Sequence, residues 1–317
     1  MYYQGRSVLV TGAAGLLGSH LVAELLKRDA RVTATVHRKP PVVQSDRVRY
    51  VTCDLTRPED CRSVVQGVDY VFLCAANSTG AAVTNANPAV HVTPNLLINA
   101  HVLEAASEAK VNGLLYVSST TVYPPVAYAV REDEGFSGEP YDLYFGVGWM
   151  KRYTEKLAEF FHRRYGLPVA LVRPTAVYGP YDKFDHATSH VLPALIRRAL
   201  EGEDPFVVWG DGTAVRDFVY ATDVTRGLLA ALGRAADCQP INLGSGQAAT
   251  VRECVELILK LTGWKGSKVV YDPSKPNAIP YRQVDITRAR ERLGYRPQVS
   301  LEEGLRCTID WYKSVRA

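Results

Sequence analysis

One turn does most to limit the folds open to this chain. Gly12-Ala13-Ala14-Gly15-Leu16-Leu17-Gly18 follows the apolar, β-branched run Ser7 to Thr11 and opens a segment, Leu16 to Arg28, whose apolar residues at 17, 21, 22, 25 and 26 form a helical stripe. Strand, glycine turn and helix in that order surround a phosphate-sized space with backbone N–H groups and the positive end of a helix dipole. A glycine triplet alone also serves a tight strand-to-helix turn for steric reasons. Its place in a strand–helix–strand unit is what points to a bound phosphate, with Gly12, Gly15, Leu16, Leu17 and Gly18 as the candidate contacts.

The alternation continues. Strands are expected at Arg31 to Val36, Val48 to Cys53, Tyr70 to Ala75, Leu114 to Ser118 and Pro168 to Arg173, with helices over about Leu96 to Ala109 and Gly148 to Tyr165. Strands interleaved with helices of this length imply an α/β fold, a doubly wound parallel sheet of the Rossmann type with right-handed crossovers. After Pro180 turns become denser, with helices near Val191 to Leu200 and Leu301 to Lys313, which predicts a smaller carboxyl-terminal α/β lobe. Pro273 to Pro280 reads as a loop rather than a linker.

Of 317 residues, 37 are Lys or Arg and 33 Asp or Glu, a balance of +4 with no basic block, so nucleic acid is not an expected partner. No stretch approaches the roughly 18 to 20 apolar residues that span a bilayer, and the amino terminus lacks the marks of a signal peptide. A soluble, cytoplasmic protein without a membrane partner is expected. The six cysteines are scattered and form no Cys-x-x-Cys pair, which favours reduced thiols over disulfides or a metal site.

The end of the second strand, where an NAD-binding protein usually places an acid for the adenosine ribose, reads Val36-His37-Arg38-Lys39. A cationic pair suits a 2′-phosphate, so Arg38 favours NADP(H) over NAD(H), with NAD(H) still possible and a solvated turn as the alternative. Asp54 and Leu55, past the third strand, are candidates to bracket adenine, with a simple strand cap as the competing role for Asp54.

The Gly-x-x-Gly-x-x-Gly spacing, Leu73-Cys74-Ala75-Ala76, Val117-Ser118-Ser119-Thr120-Thr121-Val122-Tyr123-Pro124 and Arg173-Pro174-Thr175-Ala176-Val177-Tyr178-Gly179-Pro180 together resemble the extended short-chain dehydrogenase/reductases that act on nucleotide sugars. Ser189 to Arg198, Val208 to Thr213 with Arg216-Asp217-Phe218, and Asp272-Pro273-Ser274-Lys275-Pro276 bring the likeness closest to the GDP-L-fucose synthase branch, whose members epimerise and reduce a 4-keto sugar with NADPH. The resemblance covers nearly the whole chain. It implies an NADP-binding domain over 1–180, to which later segments (about 206–245) return, and a mainly nucleotide-sugar-binding lobe over 181–317. It adds Leu73, Ala75, Ala76, Lys151 and Pro174 to the cofactor contacts.

The same resemblance assigns chemistry. Ser119 would position the C4 oxygen and Lys151 would hold the nicotinamide ribose; donors aimed at a carbonyl oxygen that gains charge stabilise the transition state. Thr121 stands where the family carries a catalytic cysteine, and His190 where it carries a catalytic histidine, a group able to give and take protons near neutrality. An unactivated threonine hydroxyl is a poor base, so another group takes that role or epimerisation is weak.

The family's Tyr-x-x-x-Lys motif is broken. Either Tyr144 is the tyrosine and Gly148 fills the lysine position, or Lys151 is kept and Val147 fills the tyrosine position. The spacing from Lys151 to Tyr165-Gly166, and Phe145-Gly146-Val147 in place of Phe-Gly-Tyr, favour the second register. Valine cannot donate a proton. Tyr144, seven residues or roughly 10 Å along a helix from Lys151, reaches the site only if the chain before Gly148 is not helical. Ser119 with a water is the other candidate donor.

Val191, Arg198, Trp209, Arg216 and Lys275 occupy positions at which the family holds its nucleotide sugar, cations facing the diphosphate and an aromatic or apolar wall facing the base. Asn277 to Arg282 and Ala176 depart from the pattern. The expected function is an NADP(H)-dependent epimerase/reductase of a GDP-linked or related 4-keto sugar. A cofactor-retaining epimerase or dehydratase without net redox and a non-catalytic cofactor-binding homologue remain open beside it. A homodimer is implied, with Leu157, Phe160 and Phe161 as apolar residues of the contributing helix.

Overall fold

In the computed structural model of the protein, residues 2–78, 87–274 and 279–316 are described. Seven parallel strands form the large sheet in the order Asp237–Leu243, Val169–Pro174, Gly113–Val117, Tyr70–Leu73, Ser7–Val10, Arg31–Val36, Val48–Thr52. The chain winds outward one way from Ser7–Val10 through the second and third strands, then returns to its other side for the fourth. That reversal leaves a crevice at the carboxyl ends of the first and fourth strands, the usual ligand position in such sheets.

Both faces of the sheet are covered, which is why its strands read as apolar runs rather than alternating ones. Helices Leu16–Leu26 and Ala221–Arg234 cover one face; Pro58–Val65, Thr93–Glu108 and Phe145–Tyr165 cover the other. Val8, Val10 and Leu21 lie in the first core, Leu9, Val71 and Leu114 in the second.

The smaller lobe has its own core around Leu192, Phe206, Ile258 and Ile309. Its four-stranded sheet runs Ala249–Thr250, Val215–Arg216, Tyr281–Val284, Ala129–Val130. Phe206–Trp209 pairs with Val269–Asp272 inside this lobe, so the return of the chain to the large sheet starts with the Ala221–Arg234 helix and not at residue 206. Asp237–Leu243 then completes the large sheet beside Val169–Pro174.

Candidate active site

The glycine turn is packed as tightly as its chemistry requires. Gly12 has φ +70°, and a Cβ there would lie 2.8 Å from the Ala75 Cα; a Cβ on Gly18 would lie 2.3 Å from the Gly12 oxygen. Gly15 caps the Leu16–Leu26 helix without a side-chain hydrogen bond, so the first helical N–H groups face outward, free for an anion. Two threonines the sequence analysis passed over hold this turn. The Thr11 hydroxyl accepts the Cys74 and Ala75 N–H groups, each at 3.0 Å, and Thr35 accepts the Gly12 N–H at 3.2 Å. Ala75 and Ala76 thereby line the crevice opposite the glycines, while Leu73 is buried in the sheet.

Arg38 is exposed at the end of the Arg31–Val36 strand, beside His37 and Lys39. Asp54 accepts the Thr56 N–H at 3.0 Å and its hydroxyl at 2.7 Å, bonds that hold its carboxyl below the ordinary range, so it caps its own turn through Oδ1. Leu55 is corrected: its side chain is 7% exposed and packs with Leu9 and Cys61, leaving only its backbone to face a ligand.

Lys151 sits on the Phe145–Tyr165 helix and reaches the end of Gly113–Val117, donating to the Val117 oxygen at 2.8 Å. Burial lowers its ammonium to about 8, against the raising influence of Glu155 and Cys74. Glu155 itself is buried, accepts Ser118 Oγ at 2.5 Å and forms a two-pronged pair with Arg173 at 2.9 and 2.6 Å. Arg173 continues to the Tyr123 hydroxyl at 2.9 Å, so the loop from Ser118 to Tyr123 is clamped from beneath. On that loop Ser119 Oγ accepts the Thr121 N–H at 3.1 Å, and Thr121 Oγ1 is buried with no hydrogen-bond partner among the described residues. Pro174 ends the neighbouring strand, buried.

The helix begins at Phe145, with Tyr144 as its amino-terminal cap. The expectation that the chain before Gly148 could be non-helical and carry Tyr144 to Lys151 is therefore overturned. Glycine at 148 serves packing: a Cβ there would meet the Thr121 oxygen and the Pro140 Cβ, both at 2.6 Å. A lysine at that position would meet the same atoms, and Val147 lies one helical turn before Lys151. Tyr144 instead feels Arg216 and Arg282 of the small lobe, although burial dominates and raises its hydroxyl above the ordinary range.

Arg216 and Arg282 are register partners on parallel strands. Among the described residues Arg216 bonds only backbone oxygens, those of Val215 at 2.7 Å and Pro280 at 3.4 Å. Arg282 donates to the Tyr123 oxygen at 3.1 Å, and its Nη1 is buried without a partner among the same residues. Arg282 was not among the candidate residues read from the sequence, although the altered segment Asn277 to Arg282 contains it. Arg198 is corrected in the opposite sense: its Nε donates to Glu203 at 2.5 Å, so its charge is already answered within the lobe. Trp209 is exposed at the end of its strand and Val191 exposed at the start of its helix. Lys275 lies outside the described residues. His190 caps the Val191–Leu200 helix, with Nδ1 3.5 Å from Asp182.

These features agree with what the chain is similar to. The model of the NAD dependent epimerase/dehydratase family matches residues 8–244. GDP-L-fucose synthase of Escherichia coli strain K12 is 35% identical over 261 residues, 77% of this chain and 80% of the relative. The dTDP-4-dehydro-6-deoxy-D-allose reductase of Streptomyces bikiniensis is 31% identical over 98% of this chain and 97% of its own. Among solved structures, a UDP-glucose 4-epimerase of Thermotoga maritima with UDP-glucose superposes with a TM-score of 0.88 at 29% identity, covering 98% of this chain and 100% of that one. With its glycine cradle at the sheet's switch point and a buried lysine across the crevice, the chain belongs to the NAD dependent epimerase/dehydratase family, enzymes of the extended short-chain dehydrogenase/reductase type.

Proposed function

We propose that the protein binds NADP(H) and a GDP-linked or related 4-keto nucleotide sugar and changes the sugar by reduction, epimerisation or both. The observation that carries this reading is Lys151: a buried cation, held at the Val117 oxygen, in a fold whose glycine turn leaves no room for a Cβ at Gly12 or Gly18. The fit to a dinucleotide is steric and electrostatic, since outward N–H groups at Gly15 suit a diphosphate. Arg38 and Lys39 support NADP(H), and Lys183 adds to them: burial lowers its ammonium from the ordinary range, and the nearby charge of Lys39 lowers it further. Solved relatives such as MoeE5 are in complex with NAD, which keeps NAD(H) as the competing cofactor.

The cofactor would supply or accept the hydride. The chain's own residues do the rest: Ser119 orients the C4 oxygen, Lys151 holds the ribose, and His190 moves a proton at a carbon beside the ketone. With valine at 147, Ser119 and a water deliver the proton to the C4 oxygen. Tyr144, at the helix cap near Arg216 and Arg282, lines the sugar side. Residues 1–180 with 221–243 hold the dinucleotide, and the remaining lobe holds the nucleotide through Arg216, Trp209 and Val191, with Lys275 as the expected further cation.

A homodimer built on the Phe145–Tyr165 helix is part of the same proposal. Leu157 and Phe161 pack inward, whereas Tyr153 (56% exposed) and Phe160 (49%) face outward with Trp149. A cytoplasmic setting is supported by six unpaired cysteines, and no helix among the described residues is long and apolar enough to cross a membrane.

The deciding experiment is mass spectrometry of GDP-4-keto-6-deoxymannose incubated with the protein and NADPH in heavy water. A reduced product is expected, with extra deuterium if His190 also supports epimerisation. Deuterium without reduction identifies an epimerase alone. An unchanged substrate, together with measurable NADPH affinity, favours the non-catalytic reading, to which the missing tyrosine lends weight.

A further inference from the structure

Asp182 is a buried carboxylate without an evident role. Its side chain is 2% exposed. Oδ1 accepts the Lys183 N–H at 2.7 Å, and Oδ2 is buried with no hydrogen-bond partner among the described residues. The Lys183 ammonium hydrogen-bonds to Ser78 and acts on Asp182 only through space. A carboxylate removed from water is costly unless something answers its charge. The group that faces it is His190, whose Nδ1 lies 3.5 Å from Oδ1 and is itself buried and unpartnered, although 41% of the side chain is exposed. The exposed part is therefore the remainder of the imidazole, which includes Nε2.

The segment bearing Asp182 is held firmly. His20 Nε2 lies 3.1 Å from the Pro180 oxygen, and the Tyr181 ring, on a residue with φ +71°, packs on His20 at 5.2 Å and on Trp311 at 5.4 Å. His20 belongs to the helix that opens at the glycine turn. A small rotation of the imidazole, against this fixed carboxylate, would bring Nδ1 from 3.5 Å into hydrogen-bond distance of Oδ1.

We propose that Asp182 is the positioning residue of His190: it accepts the Nδ1–H bond and so leaves Nε2 as the nitrogen that exchanges protons with substrate. This rests on the reading of His190 as an acid/base group. When a base removes the proton beside the C4 ketone, the C–H electron pair becomes the enolate double bond and the carbonyl pair moves to oxygen. Protonation from the other face then breaks Nε2–H, forms the new C–H bond and returns the imidazole to neutrality. Asp182 keeps its charge throughout, as a carboxylate behind a catalytic histidine does.

Two measurements test this. Long-range ¹H–¹⁵N NMR of the labelled protein, with the His190 signals assigned by their loss in His190→Asn, should show the Nδ1–H tautomer in the parent and its loss in Asp182→Asn. An Nε2–H tautomer in the parent, or one unmoved by Asp182→Asn, overturns the proposal even if that variant folds poorly. In heavy water, Asp182→Asn should lower deuterium uptake into the 4-keto sugar by about 10²- to 10⁴-fold, with Asp182→Glu recovering part of the loss. Uptake by Asp182→Asn equal to that of the parent overturns it. A parent in the Nδ1–H form that exchanges no deuterium supports the pairing of Asp182 with His190 and instead refutes the catalytic reading.

Discussion

Arg216 and Arg282 stand opposite each other on two parallel strands, and among the described residues no carboxylate lies within salt-bridge distance of either. Burial, with the charge of Arg216 pushing the same way, brings the Arg282 guanidinium down to about 10 against the raising influence of Tyr123 and Tyr144. Two cations forced together without a counterion fit a site whose anion arrives with the ligand. Arg282→Met should weaken binding of a nucleoside diphosphate by about 30-fold, or about 2 kcal/mol, while the ligand-free protein becomes no less stable. Calorimetric titration with GDP and UDP, alongside a urea melt, checks both halves.

Val147 lies one helical turn before Lys151. If the lost tyrosine limits hydride chemistry, Val147→Tyr should raise NADPH oxidation with a 4-keto nucleotide sugar by about 10²- to 10⁴-fold, the ordinary contribution of a positioned acid. Tyr144→Phe, by contrast, should change KM more than kcat. Steady-state kinetics on the two variants separates these roles, and an inert Val147→Tyr would show that tyrosine loss is not what limits the enzyme.

The lowered ammonium of Lys151 predicts a pH signature. Below about pH 8 it is charged in both folded and unfolded chains, and the folded state bears the full cost of burying it. Between about 8 and its ordinary 10.5 the unfolded chain holds more of the proton, so the part of stability due to this group rises with pH by about 3 kcal/mol. Lys151→Met should be about 2 kcal/mol more stable than the parent at pH 7, after roughly 1 kcal/mol for the lost Val117 bond, with that advantage gone by pH 10.5. Urea unfolding at pH 7 and pH 10 measures it; a variant less stable at pH 7 contradicts the buried-charge account.

Gly18→Ala places a methyl group 2.3 Å from a backbone oxygen of the glycine turn, which must then move. The expected cost is about 1–3 kcal/mol of stability, the usual range for overpacking, together with loss of dinucleotide affinity. Thermal unfolding with and without NADPH reads both effects, and a variant that keeps the full ligand-induced rise in Tm would mean the diphosphate does not sit at this turn.

The strand and helix pattern was legible because it is local: Arg31–Val36 and Val191–Leu200 occupy the boundaries their apolar periodicity predicts. The glycine cradle was legible for the same reason, since backbone conformation and close approach leave few alternatives at Gly12 and Gly18. Side-chain partnership was another matter. Leu55 looks like a ligand contact until the sheet folds it under, and Arg198 looks free until Glu203 closes on it.

By itself, the sequence determined alternating strands and helices with a phosphate turn between the first two, because each depends on residues within a turn or two of one another. Only the tertiary structure decided that Arg216 meets Arg282, 66 positions later, that Asp182 stands behind His190, and that the helix begins early enough to hold Tyr144 away from Lys151. Those outcomes depend on which buried charges find partners when distant strands are brought together, and no local pattern encodes that.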